Sequence, residues 1–428
     1  MQNRHSATDL KQMQSLPLEA KIRMSEQRIK VWYESWVRFE IYNKKTKKTR
    51  FATIDRRDIF AEPPLKENEY IVSVFDGQAY VSFSGGKDST VLADLCARVC
   101  KKYGWTLYLL FVNTGLEYPE IQKFVKTYAE WLRKEYKIEV VLDILRPEMR
   151  FDEVIKKHGY PVASKEVAGY VREAKHSKSE KLRTMRIQRL RGEYRRPDGK
   201  LSEYNCPKWG FLLDAPFEVS DKCCAVMKKK PLDKFAKETG RKGIIGTMAH
   251  ESRFRRQSWI RYGCNMFDSP SKQLSRPLSF WTERDILQYI KEYNIPYCSV
   301  YGDVVSDGDR LKTTGCDRTG CIFCMFGCHL EKEPNRFQRL KETHPRQYEY
   351  CINGGEYIVE GFAQTSSGEW AHFAFEDDDG NKFTPEEIEN FIEENKDNPF
   401  YKFVRKWQPN KEGLGLGKVL DYIGVKYE

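Results

Sequence analysis

Short apolar runs alternate with amphipathic stretches through the middle of the chain. The apolar runs AYVSF, TLYLLFVN, IEVVLDIL and GIIG predict short buried strands. Between the first two runs, residues 88–103 place Val91, Leu92, Leu95 and Val99 on one stripe, which predicts an amphipathic helix. Strands and helices in this alternation predict an α/β fold, a Rossmann-like parallel sheet flanked by helices and joined by right-handed crossovers.

The regions outside this pattern predict further parts of the protein. Within the first part, SEQRIKVWYESWVRFEIYN predicts a helix running into a strand, and AEPPLKENEY predicts a linker. In LSFWTERDILQYIKEYNIP, Thr282 and Asp285 have the spacing of a capping box, so a helix is predicted to begin there. The predicted parts are, in chain order, an N-terminal extension at 1–70, a main domain at 71–350 with a basic helical insertion at about 150–205 and a cysteine-rich loop at 316–328, and a C-terminal module at 351–428.

The composition narrows the class of protein. Hydrophobic residues make up 40% of the chain and charged residues 32%, as in water-soluble globular proteins. We find no run of about 18 apolar residues and no apolar signal core in residues 1–21, so we expect a cytoplasmic protein with no membrane partner. In that setting, the twelve cysteines favour a metal or redox site over disulfides.

The positive charge is concentrated in one stretch. The formal net charge is +11, and residues 165–200 hold twelve Lys or Arg against five Asp or Glu. A basic helical stripe can follow the backbone of a polyanion, which makes a nucleic acid, tRNA or DNA, a candidate partner. A solvated surface is the alternative interpretation.

The six residues SGGKDS, at 84–89, lie where the first strand gives way to the first helix. Consecutive glycines let the main chain turn and bring its N–H groups close to anionic oxygens, and the positive end of the helix points to the same place. Lys87 adds a charge, while Ser84, Ser89 and Thr90 add hydroxyl groups. The G-x-x-x-x-G-K spacing of a Walker A loop is absent, so a different phosphate-binding loop is predicted.

SGGKDS resembles the PP-loop of the ATP pyrophosphatase (adenine nucleotide alpha-hydrolase-like) superfamily at all six positions. FVNTGLEYPE, after the second strand, is similar to the DTG-x-E stretch of the phosphoadenosine phosphosulfate (PAPS) reductase branch, with Asn113 where that branch commonly has Asp. The resemblance implies a site for an adenine nucleotide, ATP or PAPS, with Mg2+. The nucleotide-binding residues that we carry over are Ser82, Ser84, Gly85, Gly86, Lys87, Asp88, Ser89, Thr90, Asn113, Thr114, Gly115, Glu117, Glu251 and Ser252.

Two groups of cysteines add a second signal. SDKCCAVMKKKPLDKF contains an adjacent pair, and TTGCDRTGCIFCMFGCH contains a C-x-x-C knuckle that could present two thiolates to one metal. Together they resemble the CC…CxxC signature of iron–sulfur sulfonucleotide reductases, in which the cysteines bind a [4Fe-4S] cluster. Structural zinc and unliganded buried thiols are the alternatives. The implied ligands are Cys224, Cys321 and Cys324, with Cys316, Cys223 or Cys328 as the fourth.

The resemblance extends from about Tyr80 to Cys328 and includes GIIGTMAHESRFRRQ. In that stretch Arg255 and Arg256 could hold phosphate or sulfate bidentately, although a solvated helix face is the alternative. The implied catalytic residues are therefore Lys87, Asp88, Arg255 and Arg256.

Three functions are compatible with these motifs. The complete PP-loop favours an enzyme that cleaves ATP to AMP and pyrophosphate and so activates a substrate for sulfur transfer, with a sulfur or electron donor protein as a further partner. A sulfonucleotide reductase that makes sulfite is the alternative, but those enzymes carry a nucleophilic cysteine near the C-terminus and no cysteine follows Cys351 here. A non-catalytic nucleotide-binding protein is the third interpretation.

Overall fold

A computed structural model describes residues 3–58, 61–269, 273–308, 310–377, 379–409 and 415–428. The chain forms two compact units, of which the first comprises residues 1–158 and 221–322 and the second residues 159–220 and 323–428. Both units therefore draw on separate parts of the chain. The domain boundaries predicted from the sequence, near residues 70 and 350, remain predictions.

The helices and strands of the described residues are numbered in chain order. The α-helices are α1 (Ala7–Gln14), α2 (Leu18–Glu34), α3 (Lys87–Tyr103), α4 (Pro119–Tyr136), α5 (Phe151–His158), α6 (Lys165–His176), α7 (Glu180–Arg191), α8 (Lys230–Thr239), α9 (Arg253–Tyr262), α10 (Glu283–Glu292), α11 (Arg336–Thr343), α12 (Pro345–Asn353), α13 (Pro385–Asn395) and α14 (Gly417–Tyr422). The strands are β1 (Trp36–Asn43), β2 (Lys48–Asp55), β3 (Glu69–Asp76), β4 (Ala79–Ser82), β5 (Leu107–Val112), β6 (Val140–Leu145), β7 (Lys242–Ile245), β8 (Asn265–Met266), β9 (Leu274–Ser275), β10 (Val304–Asp307), β11 (Arg310–Thr313), β12 (Gly355–Gln364), β13 (Trp370–Phe373) and β14 (Tyr401–Pro409).

A six-stranded sheet forms the centre of the first unit. Its strand order is β6-β5-β4-β7-β9-β8, and every pair is parallel except β8 with β9. The predicted α/β class and the four predicted strands are thereby confirmed. The chain adds β5 and β6 on one side of β4 and then adds β7 on the other side. The strand order therefore reverses next to β4. Ligands of open α/β sheets bind at such a switch point, beyond the carboxyl ends of the strands.

The helices around this sheet follow the apolar stripes of the sequence. In α3, Val91, Leu92 and Leu95 are fully buried, as the stripe predicted. Helix α4 has Pro119 in its first turn, where the missing N–H costs nothing. The predicted capping box is also confirmed, because Thr282 caps α10 and the Asp285 side chain accepts a hydrogen bond from the Thr282 amide at 2.7 Å.

The N-terminal residues pack on the same unit. Helix α2 leads directly into β1, which confirms the predicted helix-to-strand transition, and β1 lies between β2 and β3 in an antiparallel sheet. The buried Lys21 ammonium lies 2.7 Å from the Asp285 carboxylate and ties α2 to α10. These residues therefore contribute to the core that supports the large sheet.

The second unit contains the whole of the basic stretch at residues 165–200. Helices α6 and α7 confirm that this stretch is mostly helical, and Ser164 and Ser179 cap their first turns. A separate antiparallel sheet has the order β13-β12-β14. In the described part of the chain, none of the helices has the length and apolar character that a membrane crossing requires.

Candidate nucleotide site

The turn between β4 and α3 depends on its two glycines. Gly85 has a φ of +73°, and a Cβ at this position would lie 2.9 Å from Val125 Cγ2 and 3.0 Å from Ile121 Cγ2. A side chain is thus opposed by both the backbone conformation and the packing of α4. Gly86 is the N-cap of α3, so the first N–H groups of the helix are directed out of the turn.

The hydroxyl groups of the loop satisfy its own main chain. Ser89 Oγ and Thr90 Oγ1 donate hydrogen bonds to the Gly86 carbonyl at 2.8 and 3.0 Å. Ser84 Oγ lies 3.0 Å from Ser89 Oγ and accepts a longer bond, of 3.4 Å, from the Gly86 amide. Ser89 and Thr90 are buried, whereas Ser84 is exposed at the mouth of the turn. Of these predicted phosphate donors, Ser84 is the one open to a ligand.

Lys87 is buried at the start of α3. Its ammonium donates a hydrogen bond to the Asp317 carbonyl at 2.9 Å and lies 3.2 Å from the Glu283 carboxylate and 3.7 Å from that of Asp88. Burial by itself lowers the pKa of Lys87, but the charges of Asp88 and Glu283 outweigh burial, and the pKa is raised. The site therefore holds a permanent cation next to the turn.

Asp88 carries a carboxylate oxygen that has no hydrogen-bond donor. Its Oδ1 atom is buried, and among the described residues it lacks a hydrogen-bond partner. Burial raises the pKa of Asp88, and the carboxylates of Glu251 and Glu283 raise it further against the opposing charge of Lys87. The Lys87 ammonium lies 3.7 Å from this Oδ1 atom and forms an ion pair with it but no hydrogen bond. A buried carboxylate oxygen without a hydrogen bond is a suitable ligand for Mg2+, which prefers oxygen donors.

The loop after β5 is held by its own side chains. Glu117 accepts hydrogen bonds from the amide and the hydroxyl of Thr114, at 2.9 and 2.8 Å, and Gly115 donates its N–H to Asn113 Oδ1 at 3.0 Å. The Asn113 side chain thus shapes the turn, and it does so as a neutral acceptor where a carboxylate is common in the resembling branch. The arrangement places Glu117 in the lining of a cavity beside residues 84–89, which we call the phosphate loop after its predicted role.

A small cavity opens at the carboxyl ends of β4 and β5. Its volume is about 90 Å³. Polar groups converge on it from separate segments of the first unit, namely Ser82, Ser84, Glu117, Lys228 and Thr319. Lys228 and Thr319 were not among the residues predicted from the sequence. The only signal for Lys228 was its place in the run KKK after the cysteine pair.

Lys228 follows the adjacent cysteines on a π-helical turn, Ala225–Lys229, of the kind that often occurs at functional sites. Burial acts to lower the pKa of Lys228, but Cys321 and Glu117 outweigh it, with a smaller contribution from Cys224, and the pKa is raised. The Lys228 ammonium therefore lies near the cavity and near two candidate metal ligands, Cys224 and Cys321.

The predicted Glu-Ser and Arg-Arg residues lie at the start of α9. Ser252 is the N-cap and accepts a hydrogen bond from the Arg255 amide at 3.3 Å. Glu251 forms an ion pair with Arg255 and lies 3.7 Å from Arg318, while Arg256 is exposed. The charge of Glu251 raises the pKa of Asp88 and the charge of Arg318 lowers it, so this helix start is close to the phosphate loop. Arg255 is held by Glu251, and Arg256 points to solvent.

The cysteines of the first unit have different neighbours. Cys321 and Cys224 both raise the pKa of the Lys228 ammonium and therefore lie near it. The Cys316 thiol instead donates a hydrogen bond to the Tyr118 hydroxyl, over 3.8 Å. Cys223 is buried beside Cys224 in the sequence. Cys224 and Cys321 thus share Lys228 as a neighbour, whereas the neighbour of Cys316 is Tyr118.

The cysteines of the second unit lie around one arginine. Arg336 donates a hydrogen bond to the Cys324 carbonyl at 2.8 Å, and both Cys324 and Cys328 raise the pKa of its guanidinium, against burial, after a larger contribution from Glu331. Burial raises the pKa of the Cys328 thiol to about 11.

The described residues contain no group of three or more Cys, His, Asp or Glu side chains able to hold a metal ion. Thiolates in pairs are suitable donors for iron or zinc. We assign no chemical step to a cluster.

Comparison with known families assigns the chain to one of them. The sequence profile described as "Phosphoadenosine phosphosulfate reductase domain" matches residues 78–209 and 209–326, which is more than half of the chain. The chain belongs to this family. In this PAPS reductase-family protein, the matched region includes the phosphate loop, the NTGLE loop, the cysteine pair and the C-x-x-C knuckle, so the resemblance inferred from these motifs is confirmed.

Two further comparisons add little to the family assignment. A solved structure, "U34-tRNA thiolase NcsA from Methanococcus maripaludis with its [4Fe-4S] cluster", matches 78% of this chain and 76% of that chain with 14% sequence identity and a TM-score of 0.29. Because the TM-score and the sequence identity are both low, this likeness supports no conclusion about the present chain. No match was found among curated proteins.

Proposed function

We propose that this PAPS reductase-family protein is a PP-loop enzyme that cleaves ATP to AMP and pyrophosphate in order to activate a substrate for sulfur transfer. The observation that carries the proposal is the start of α3. Gly86 caps this helix without a side-chain hydrogen bond, and the helix begins beside the buried cation Lys87 and a buried Asp88 carboxylate oxygen that has no hydrogen bond among the described residues. N–H groups at a helix start together with a cation suit the phosphates of a nucleotide.

The residues of the loop have separate roles in the proposed reaction. Ser84, Gly86 and Lys87 hold the pyrophosphate part of ATP. Asp88 would hold Mg2+, which would neutralise charge on the phosphates. A substrate oxygen attacks the α-phosphorus, the bond from that phosphorus to the bridging oxygen breaks, and pyrophosphate leaves with the electron pair. A sulfur nucleophile then takes the place of the adenylated oxygen, and AMP leaves with that oxygen. The charge on the leaving pyrophosphate is stabilised by Lys87.

A nucleic acid is the substrate class that we propose for sulfur transfer. Helix α7 and the turn after it carry exposed cations that have no ion pair among the described residues, including Lys181, Arg183 and Lys200. Arg186 and Arg189 have other roles, because their guanidinium groups lie 4.2 and 5.2 Å from the Tyr170 ring centroid. The exposed cations are available for phosphodiester groups.

The cysteines are the proposed ligands of a [4Fe-4S] cluster, with zinc as the alternative metal. The pairs Cys223-Cys224 and Cys321/Cys324 support this assignment through their spacing alone. A protein that donates sulfur or electrons is a further proposed partner.

The test compares two products. The purified protein, supplied with Mg2+ and a candidate tRNA or DNA substrate, is incubated with ATP or with PAPS, and pyrophosphate and sulfite are measured. The proposal expects pyrophosphate from ATP, no sulfite from PAPS, and loss of pyrophosphate release in Lys87→Ala. Sulfite release from PAPS would support the reductase alternative instead, and a Lys87→Ala variant with full pyrophosphate release would refute the role of the loop.

A further inference from the structure

A tyrosine hydroxyl occupies the first donor of the phosphate loop. The main-chain N–H of Lys87 donates a hydrogen bond to the hydroxyl of Tyr301 at 3.1 Å, and both residues are buried. This N–H belongs to the first turn of α3, whose donors have no acceptor within the helix. Tyr301 therefore takes a donor that an anionic phosphate oxygen would take.

A second hydroxyl completes the contact. Thr319 Oγ1 lies 2.7 Å from the Tyr301 hydroxyl, and a Cβ placed on Gly86 would lie 3.0 Å from Thr319 Oγ1 and 3.2 Å from that phenol oxygen. The Lys87 ammonium is held from the same segment by the Asp317 carbonyl, at 2.9 Å. Oxygen atoms of the protein thus surround the phosphate-binding face of the loop.

The cavity next to the loop is too small for a nucleotide. Its volume of about 90 Å³ is well below the roughly 300 Å³ at the lower end of small-molecule sites. Thr319 and Gly320 form part of its lining. An adenine nucleotide can therefore enter this cavity only if these residues move.

Main-chain hydrogen bonds anchor the chain on both sides of Thr319. The Cys316 amide donates to the Val300 carbonyl at 2.9 Å, and the Ile322 amide donates to the Leu116 carbonyl at 2.8 Å. Residues 317–321 lie between these two anchors, and a Cβ on Gly320 would have no atom within 4 Å. The segment thus has open space at Gly320. It is held by Thr319 Oγ1, by the Asp317 carbonyl and by Arg318, which lies 3.7 Å from Glu251.

We propose that residues 317–321 form a lid on the phosphate loop, that Tyr301 and Thr319 hold it closed, and that an adenine nucleotide opens it. The proposal rests on nucleotide binding at this loop. Hydrogen bonds to a charged phosphate oxygen are stronger than those to a neutral hydroxyl, so a nucleotide can displace the two side chains. Tyr301 is thus a positioning residue and not a catalytic one.

The first test is the affinity for ATP with Mg2+, measured by calorimetry on the full-length protein. Tyr301→Phe keeps the ring and removes the hydroxyl that bonds to Lys87 and Thr319, so we expect ATP to bind about 5-fold tighter. Thr319→Ala removes one of these contacts and should have a smaller effect in the same direction. Tyr297→Phe is the matched control, because the Tyr297 hydroxyl donates to the Gly302 carbonyl and does not contact the loop. Unchanged or weaker binding by Tyr301→Phe would overturn the lid.

The second test is hydrogen exchange followed by mass spectrometry. With ATP and Mg2+, the amides of residues 317–321 should exchange faster, while the anchoring amides of Cys316 and Ile322 should stay protected. Equal or slower exchange of the segment in wild-type protein that binds ATP would refute the lid and leave the proposed function standing. If ATP, PAPS and adenylyl sulfate all fail to bind wild-type and Tyr301→Phe protein, the lid and the proposed function are both refuted.

Discussion

The Lys228 ammonium lies 3.6 Å from the Glu117 carboxylate in the lining of the cavity beside the phosphate loop. The two residues belong to separate segments of the matched region, the turn after the cysteine pair and the loop after β5. Glu117 is oriented by two hydrogen bonds from Thr114, so Lys228 is positioned on a rigid partner. We infer that the cation of this pair contacts a phosphate of the proposed nucleotide.

Removal of this cation should weaken nucleotide binding. We expect Lys228→Ala to lower the affinity for ATP by about 10-fold, which corresponds to about 1.4 kcal/mol and is typical of one charged hydrogen bond. Lys228→Arg should restore part of the affinity. Lys229→Ala is the control, since Lys229 is exposed and adjacent in the sequence. Calorimetric titration with ATP checks the result, and equal affinities of the two alanine variants would contradict it.

Asp88→Asn should separate stability from activity. The pKa of Asp88 is higher in the folded protein than in the unfolded chain, so ionisation of this carboxyl favours unfolding. The loss of stability begins near the ordinary aspartate pKa of about 3.9, grows as the pH rises, and is complete above the folded pKa. We therefore expect Asp88→Asn to unfold like the wild type in acid and to be more stable near pH 7. Urea unfolding at several pH values measures this difference.

The same substitution should abolish Mg2+-dependent pyrophosphate release. Asp285→Asn is a contrasting variant, because Asp285 is paired with Lys21 and should lose stability at pH 7. An Asp88→Asn protein that is less stable than the wild type at pH 7 would show that the carboxylate has a stabilising partner in the fold.

Gly85→Ala should destabilise the protein more than the same change at another glycine. Gly85 and Gly104 have nearly equal φ values, +73° and +70°, but a Cβ would contact Val125 and Ile121 at Gly85 and nothing within 4 Å at Gly104. We expect Gly104→Ala to cost about 1 kcal/mol from its backbone conformation alone, and Gly85→Ala to cost about 2–4 kcal/mol in total. Denaturant unfolding of both variants measures the difference, and equal losses would mean that α4 can shift away from the loop.

The metal content should depend on the proposed cysteine ligands. Protein purified without oxygen should be brown and contain iron, and Cys321→Ser and Cys324→Ser should each lose most of it. Cys351→Ala is the control, because Cys351 is buried and lies outside the matched region. Iron and zinc are measured by elemental analysis. Stoichiometric zinc in a colourless wild-type protein, or full iron in Cys321→Ser, would contradict the cluster.

Nucleic-acid binding should depend on salt through the exposed cations of α7. We expect Lys181→Glu/Arg183→Glu to weaken tRNA or DNA binding and to reduce the slope of log K against log salt by about 2. Lys402→Glu/Arg405→Glu makes the same charge change on β14, outside the basic stretch. Filter binding or anisotropy at several salt concentrations provides the measurement. The same loss in both variants would attribute the binding to net charge.

The sequence by itself determined the elements whose signals are local. The run from AYVSF through SGGKDS to the stripe of α3 lies within 25 residues, and the pairing of Thr282 with Asp285 spans one helical turn. Backbone sterics, the orphan N–H groups of a helix start and the spacing of apolar side chains act over such short distances, so the strand, the turn and the helix were predictable.

The tertiary structure decided which distant residues meet at the loop. Tyr301 and Thr319 lie against Gly86, and Lys228 faces Glu117, although nothing in the local pattern of any of these segments points to the others. The neighbours of the cysteines were equally beyond the sequence, since spacing suggested one set of ligands and the fold gives Cys316 a tyrosine partner. Such contacts depend on how β5, β7 and the segments that follow them pack around β4, and that packing is set by the whole core.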